Sequence, residues 1–216
     1  SEIKSVLRWY PHDLWVYTLA AQWRRLDQEE PFMGRTASAG DEIGSRLISS
    51  RLLNRLMQLC FLLEQNWPPY SKWFGSAFSR LECAPALQPP IMQVTEATDW
   101  KIREKGLSEL YIHTGCIHNK QGITAYIEPE ITPFYTRPFQ VPHSQRYADA
   151  LYAAIHSEEV LALPLYAGSI DQMIDNIDVL ESIPMCQQLK HVYQDSIPDT
   201  FPNPCPHMDP RTLKEN

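Results

Sequence analysis

Large apolar residues recur at helical spacing from Asp13 to Glu30: Trp15, Leu19, Trp23 and Leu26. Spacing of this kind places them on one face of a helix. Leu14, Val16, Ala20 and Ala21 thicken that face, so this helix is expected to be central. Pro31 stops it, because the residue before a proline is pushed out of the helical region. Met33 to Gly40 reads as a loop with Gly, Thr and Ser. A long helix follows from about Asp41 to Gln65, opening near the local signal Ser38-x-x-Asp41. Leu47, Leu52, Leu56, Leu59 and Leu63 line it, and Asn66-Trp67-Pro68-Pro69 closes it. Ser71 can cap a shorter helix, Lys72 to Glu82.

Ala84 to Pro90 reads as a proline-containing link. Another helix is expected from about Glu96 to His118, with Trp100, Leu107, Leu110, Tyr111 and Ile117 inward. From Ile123 to His143 there are four prolines and no helical period. A connection of that length in a compact domain packs or carries function. Ser144 to His156 is amphipathic through Tyr147, Leu151 and Ile155. Ser169 to Leu180 repeats the pattern with Ile170, Met173, Ile174 and Ile177. Pro184 suits a first helical position for a last helix ending near Gln194. From Ile197 the chain holds five prolines by Pro210 and few large apolar residues. The sum is an all-α antiparallel bundle over 1–196, with a long irregular excursion and a proline-rich tail over 197–216.

Composition narrows the function classes. A formal charge of −7 argues against non-specific nucleic-acid binding through a basic surface. Five scattered cysteines without a CxxC fit a reduced cytoplasmic protein. The most apolar run, Leu52 to Leu63, contains Arg55 and is too short to span a bilayer. No signal peptide is visible, and the start at Ser1, close to structured-looking sequence, fits a processed chain or a piece of a longer protein.

The densest chemistry lies at the first bend. Gln28 to Arg55 contains four acids, Glu29, Glu30, Asp41 and Glu42, and four arginines, Arg35, Arg46, Arg51 and Arg55. Acids at a helix C-terminus oppose the macrodipole and call for a cation or a ligand. Glu42 and Arg46 are i,i+4 partners. Arg51 and Arg55 are also i,i+4, where like charges need an anion between them: Glu29, Glu30 or a phosphate. Two readings follow. One is an ion-pair network that sets the angle between two helices. The other is a solvent-reachable polar hollow for a phosphorylated or polyhydroxylated ligand.

Other constellations are less specific. His113, Cys116 and His118, with Cys205 and His207, resemble a zinc set in residue type, but their spacing departs from the common patterns. Asp171, Asp175 and Asp178 form a stripe typical of a solvated face. Arg137 and His143 match an Arg-x5-His spacing found in helical toxin ribonucleases, yet two intervening prolines forbid that helix. Gly75-Ser76 lacks the Asp-x-Asp strand that a nucleotidyltransferase core needs, so this chain is not expected to carry that metal chemistry alone.

Six blocks occur in order: "HDLWVYTLAAQWRRLDQEEPFMGR", "GDEIGSRLISSRLLNRLMQLCFLLE", "PPYSKWFGSAFSRL", "HNKQGIT", "FYTRPFQV" and "IDQMIDNIDVL". Together, from about His12 to Leu189, they resemble the bacterial family labelled domain of unknown function four-zero-three-seven. The resemblance implies the C-terminal, substrate-binding helical half of a nucleotidyltransferase, comparable to the bundle of aminoglycoside nucleotidyltransferases. It implies a partner domain of nucleotidyltransferase fold that binds Mg²⁺ and a nucleoside triphosphate, with no cofactor in this chain. It further implies a small-molecule substrate and leaves a homodimer open. The polar positions matching the family pattern include Gln28, Glu29, Glu30, Arg35, Asp41, Glu42, Ser45, Arg46, Arg51, Lys72, His118, Asn119 and Arg137. Glu29 and Glu30 are the expected catalytic carboxylates, and the others are expected to contact substrate. The alternative class is a non-catalytic helical module for dimerisation or ligand sensing.

Overall fold

The computed structural model describes residues 8–194, so the tail, Cys205 and His207 lie outside the described residues. Helix α1 is His12–Asp27, α2 Phe32–Ser38 and α3 Glu42–Leu63. A 3-10 turn, Ser71–Trp73, leads into α4, Phe74–Phe78. Two long helices follow, α5 Ala84–Glu96 and α6 Trp100–Lys120. After them comes a small antiparallel ladder of β1, Thr132–Pro133, with β2, Gln140–Val141, in which Thr132 faces Val141. Helix α7 is Gln145–Ala153. Five short helices complete the described residues: α8 Glu158–Leu161, α9 Ile170–Met173, α10 Ile177–Leu180, α11 Ile183–Leu189 and α12 His191–Gln194.

Helix α1 is the axis of the bundle. Every residue from Trp15 to Trp23 is buried, the polar Thr18 and Gln22 included. A helix buried on all sides must satisfy its polar groups locally. Gln22 donates to the Arg55 carbonyl at 2.8 Å and accepts from Gln172 Nε2 at 2.9 Å, and Trp15 Nε1 donates to the Leu62 carbonyl at 2.7 Å. Helices α3 and α7 pack on α1, and Tyr147 of α7 stacks on Trp23 with ring centroids 4.2 Å apart and planes 11° off parallel. Helices α3 and α5 flank α6.

Several local expectations need correction. Met33 to Gly40 is not a loop: α2 forms there, with Met33 and Gly34 buried and Thr36 Oγ1 donating back to the Phe32 carbonyl. Ala84 to Pro90 is not a link but the start of α5, with Pro89 and Pro90 inside the helix. Each proline removes one backbone donor. Burial of Leu87 and Val94 and the close approach of α6 at Gly106 offset that loss. A Cβ on Gly106 would lie 2.7 Å from Val94 Cγ2. The helix expected over Lys72 to Glu82 shrinks to the 3-10 turn and α4, and Ser71 makes no side-chain cap. The helix expected over Ser169 to Leu180 splits, because Ile174 is extended and Asn176 caps a new turn through the Val179 amide. Leu47 points outward at 66% exposure. It is five residues from Leu52 and falls off the stripe, which continues instead through Ser49 and Ser45.

Candidate functional site at the first bend

The α1–α2 bend separates the two adjacent carboxylates. Glu29 turns outward toward α3, where its Oε2 lies 2.7 Å from Arg51 Nε and 2.9 Å from Arg55 Nη1. Both contacts are at ion-pair distance but off the N–H axes, so Oε2 is buried without a hydrogen bond among the described residues. Arg55 Nη1 donates instead to the Arg25 carbonyl at 2.7 Å. Arg25 lies close enough to feel both Arg55 and Glu29, and burial lowers the pKa of Arg25 and of Arg55. Its Nη1 makes one long contact, 3.5 Å, to Gln22 Oε1. Two guanidiniums, Arg51 and Arg55, thus contact one carboxylate, and Arg25 adds its charge from further off. Arg51 is half-exposed, with 53% of its side chain accessible, while Arg55 is mostly covered.

Glu30 turns inward and is 5% exposed. Its Oε2 accepts the Ser144 amide at 3.1 Å, and Asp27 Oδ1 accepts the Gln145 amide at 3.3 Å. The two carboxylates therefore satisfy orphan donors at the start of α7, a task that favours anions. Burial, with Asp27 adding its charge, pushes the Glu30 carboxyl up to about 8. The hydroxyl of Tyr111, fully buried and close to Glu30, Glu29 and Arg55, has no partner among the described residues, and neither does Ser144 Oγ. Burial raises the Tyr111 phenol as well.

The remaining candidate residues do not all converge here. Asp41 caps α3 by accepting the Gly44 amide at 2.7 Å. Glu42 pairs with Arg46 at 2.8 Å and also meets Arg103. Arg103 was not anticipated. It is 1% exposed and grips Glu42 at 2.9 and 2.6 Å, Ser45 Oγ at 3.0 Å and the Ala97 carbonyl at 3.2 Å. Hydrogen bonds from Arg103 and Arg46 lower the Glu42 pKa. Its signal in the sequence is helical phase, since Arg103, Leu107 and Leu110 share a face. Arg25 was also passed over, although it is i,i+4 to Glu29.

Gln28 is exposed at the end of α1, and Arg35 is exposed beside the Phe32 ring. Lys72 is exposed over Trp73. His118 is buried edge-on to Tyr147 and 3.1 Å from Thr124 Oγ1, and desolvation lowers its pKa to about 4. Asn119 pins the irregular segment, donating to the Ile127 carbonyl at 2.7 Å and accepting its amide at 3.0 Å. Arg137 lies exposed in the turn between β1 and β2, and a ladder with a turn, not a helix, joins it to His143. His113 and Cys116 face solvent on α6 while His118 faces the core.

Residues 1–74 match the family model described as Domain of unknown function (DUF4037). The matched stretch contains α1, α2 and α3 and hence Glu29, Glu30, Arg51 and Arg55. It is shorter than the resemblance expected through Leu189, and α5, α6 and α7 lie beyond the DUF4037 match. No curated protein and no solved structure matches the chain. Among the described residues no helix is long and apolar enough to cross a membrane.

Proposed function

We propose that this chain is the substrate-binding helical domain of a nucleotidyl-transfer enzyme, acting against a separate nucleotidyltransferase-fold domain that holds Mg²⁺ and the nucleoside triphosphate. The observation carrying this reading is the pair Arg51 and Arg55 on the single carboxylate of Glu29, with Arg25 adding positive charge nearby. Guanidinium forks match phosphate geometry, and two of them bring more positive charge to the bend than the one carboxylate of Glu29 neutralises. Arg51 and Arg55, rather than Arg46, face the phosphate in this arrangement, because Glu42 already engages Arg46. Glu29 or Glu30 orients or deprotonates the acceptor hydroxyl. Neither suits a hard metal: Glu29 sits between guanidiniums and Glu30 is desolvated. No step in this chain is therefore routed through the ion.

The test is transfer activity of the chain combined with its catalytic domain, measured for Glu29→Gln and Glu30→Gln. Loss of roughly 10²–10⁴-fold in one of them is expected for a general base. Wild-type rates in both remove the assignment. A second reading, a dimerisation module, draws on Ile43 and Leu47, which stand 75% and 66% exposed on α3. Sedimentation of wild type against Ile43→Lys separates the two. A dimer dissociated by the substitution favours the module.

A further inference from the structure

Neither Arg51 nor Arg55 donates an aligned hydrogen bond to Glu29 Oε2 among the described residues, although it lies 2.7 Å from Arg51 Nε and 2.9 Å from Arg55 Nη1. A carboxylate that evolved solely as a strut would gain most from a bidentate pair with one arginine. Here Oε2 is buried, lies within 3 Å of two cations and has no aligned hydrogen bond among the described residues. The Tyr111 hydroxyl, which feels the charges of Arg55 and Glu29, is fully buried and likewise without a partner among those residues. Oxygen acceptors arranged in three dimensions would satisfy these donors better than one planar carboxylate.

We infer that Glu29 is a resident stand-in anion, and that a phosphate or diphosphate group displaces it from Arg51 and Arg55. The inference rests on the proposed function only for its location, since displacement is a property of the bend itself. It adds a coupling: arrival of the phosphate frees the Glu29 carboxylate to turn toward an acceptor. An empty site keeps the carboxylate against Arg51 and Arg55, turned away from an acceptor. The acids facing this cation set from elsewhere are Asp171 and Asp175 beside Arg25, both exposed.

The experiment is isothermal titration of inorganic pyrophosphate into the 216-residue chain at low ionic strength, for wild type, Glu29→Gln, Arg51→Gln and, as a control outside the bend, Glu130→Gln, an exposed carboxylate paired with Arg146. Glu29→Gln is expected to bind about tenfold tighter than wild type, because the competing charge is gone. Arg51→Gln, at a half-exposed position outside the packed core, is expected to bind at least about tenfold more weakly. Glu130→Gln should leave pyrophosphate affinity unchanged. Thermal unfolding without ligand checks that each variant is folded, and Glu29→Ala, which also removes the charge, replaces Glu29→Gln if that variant is not. Equal or weaker binding by the Glu29 variant, or binding unaffected by Arg51→Gln, overturns the inference. Failure here is distinguishable from failure of the transferase reading: displacement predicts tighter pyrophosphate binding in Glu29→Gln, whereas the base assignment predicts slower transfer in the same variant.

Discussion

Replacing Glu30 by Gln probes the inner half of the bend. The folded protein holds this carboxyl at about 8 against an ordinary value of 4.5, chiefly because charging it would strand an anion in the core. The folded pKa is raised, so the native state binds more protons than the unfolded chain between those two values. The stability contribution is therefore fully present below about pH 4.5 and is lost as pH rises through about 8. At about 1.4 kcal/mol per decade of proton affinity, the loss reaches about 3 kcal/mol at pH 7 and about 5 kcal/mol at pH 9. Gln keeps an acceptor for the Ser144 amide and cannot ionise. Urea unfolding of both proteins at pH 5, 7 and 9 should give a stability difference that grows in favour of the variant by those amounts. A difference that stays flat from pH 5 to 9, or a variant less stable than wild type at pH 9, refutes the reasoning. If Glu30 also serves as the base, this stabilised variant loses transfer, the usual opposition of stability and function at a strained site.

Other outcomes follow from the same packing. Arg103→Ala should cost about 2–5 kcal/mol in chemical unfolding, because it empties a fully buried side-chain position and leaves the Ser45 hydroxyl and the Ala97 carbonyl without their donor. Arg103→Met should cost less, and Glu42→Ala should be worse than Arg103→Met, since it leaves a guanidinium buried without its carboxylate. Asn119→Ala should cost about 1–3 kcal/mol and speed amide exchange across Ile123–Ile131, because both of its bonds to Ile127 vanish. Gly34→Ala should cost about 1–3 kcal/mol in thermal unfolding, since its Cβ would meet Phe139 Cδ1 at 2.6 Å.

The helices legible in the sequence were those whose apolar period runs unbroken. Trp15, Leu19, Trp23 and Leu26 announce α1, and Leu52, Leu56, Leu59 and Leu63 announce α3. Helix α5 was hidden because Pro89 and Pro90 oppose it locally, while the packing that overrides them comes from α6, on the far side of the Ala97–Asp99 turn. The split of α9 from α10 follows from one residue, Asn176, whose side chain caps a new turn more readily than it continues an old one. The pairing of Glu29 with Arg51 and Arg55 was readable from i,i+4 charges. The fate of Glu30 was not, because its partner, the start of α7, lies 114 residues further along the chain.

The claim on which the function rests is that the outer bend accepts an anion. Nitrogen-15 NMR of the arginine Nε–H groups during a pyrophosphate titration reads this directly. The account predicts saturable shifts at Arg51 and Arg55, weakened by added salt, with Arg103 unmoved. Resonances of Arg51 and Arg55 that stay fixed, or that move no more than that of exposed Arg46, contradict it.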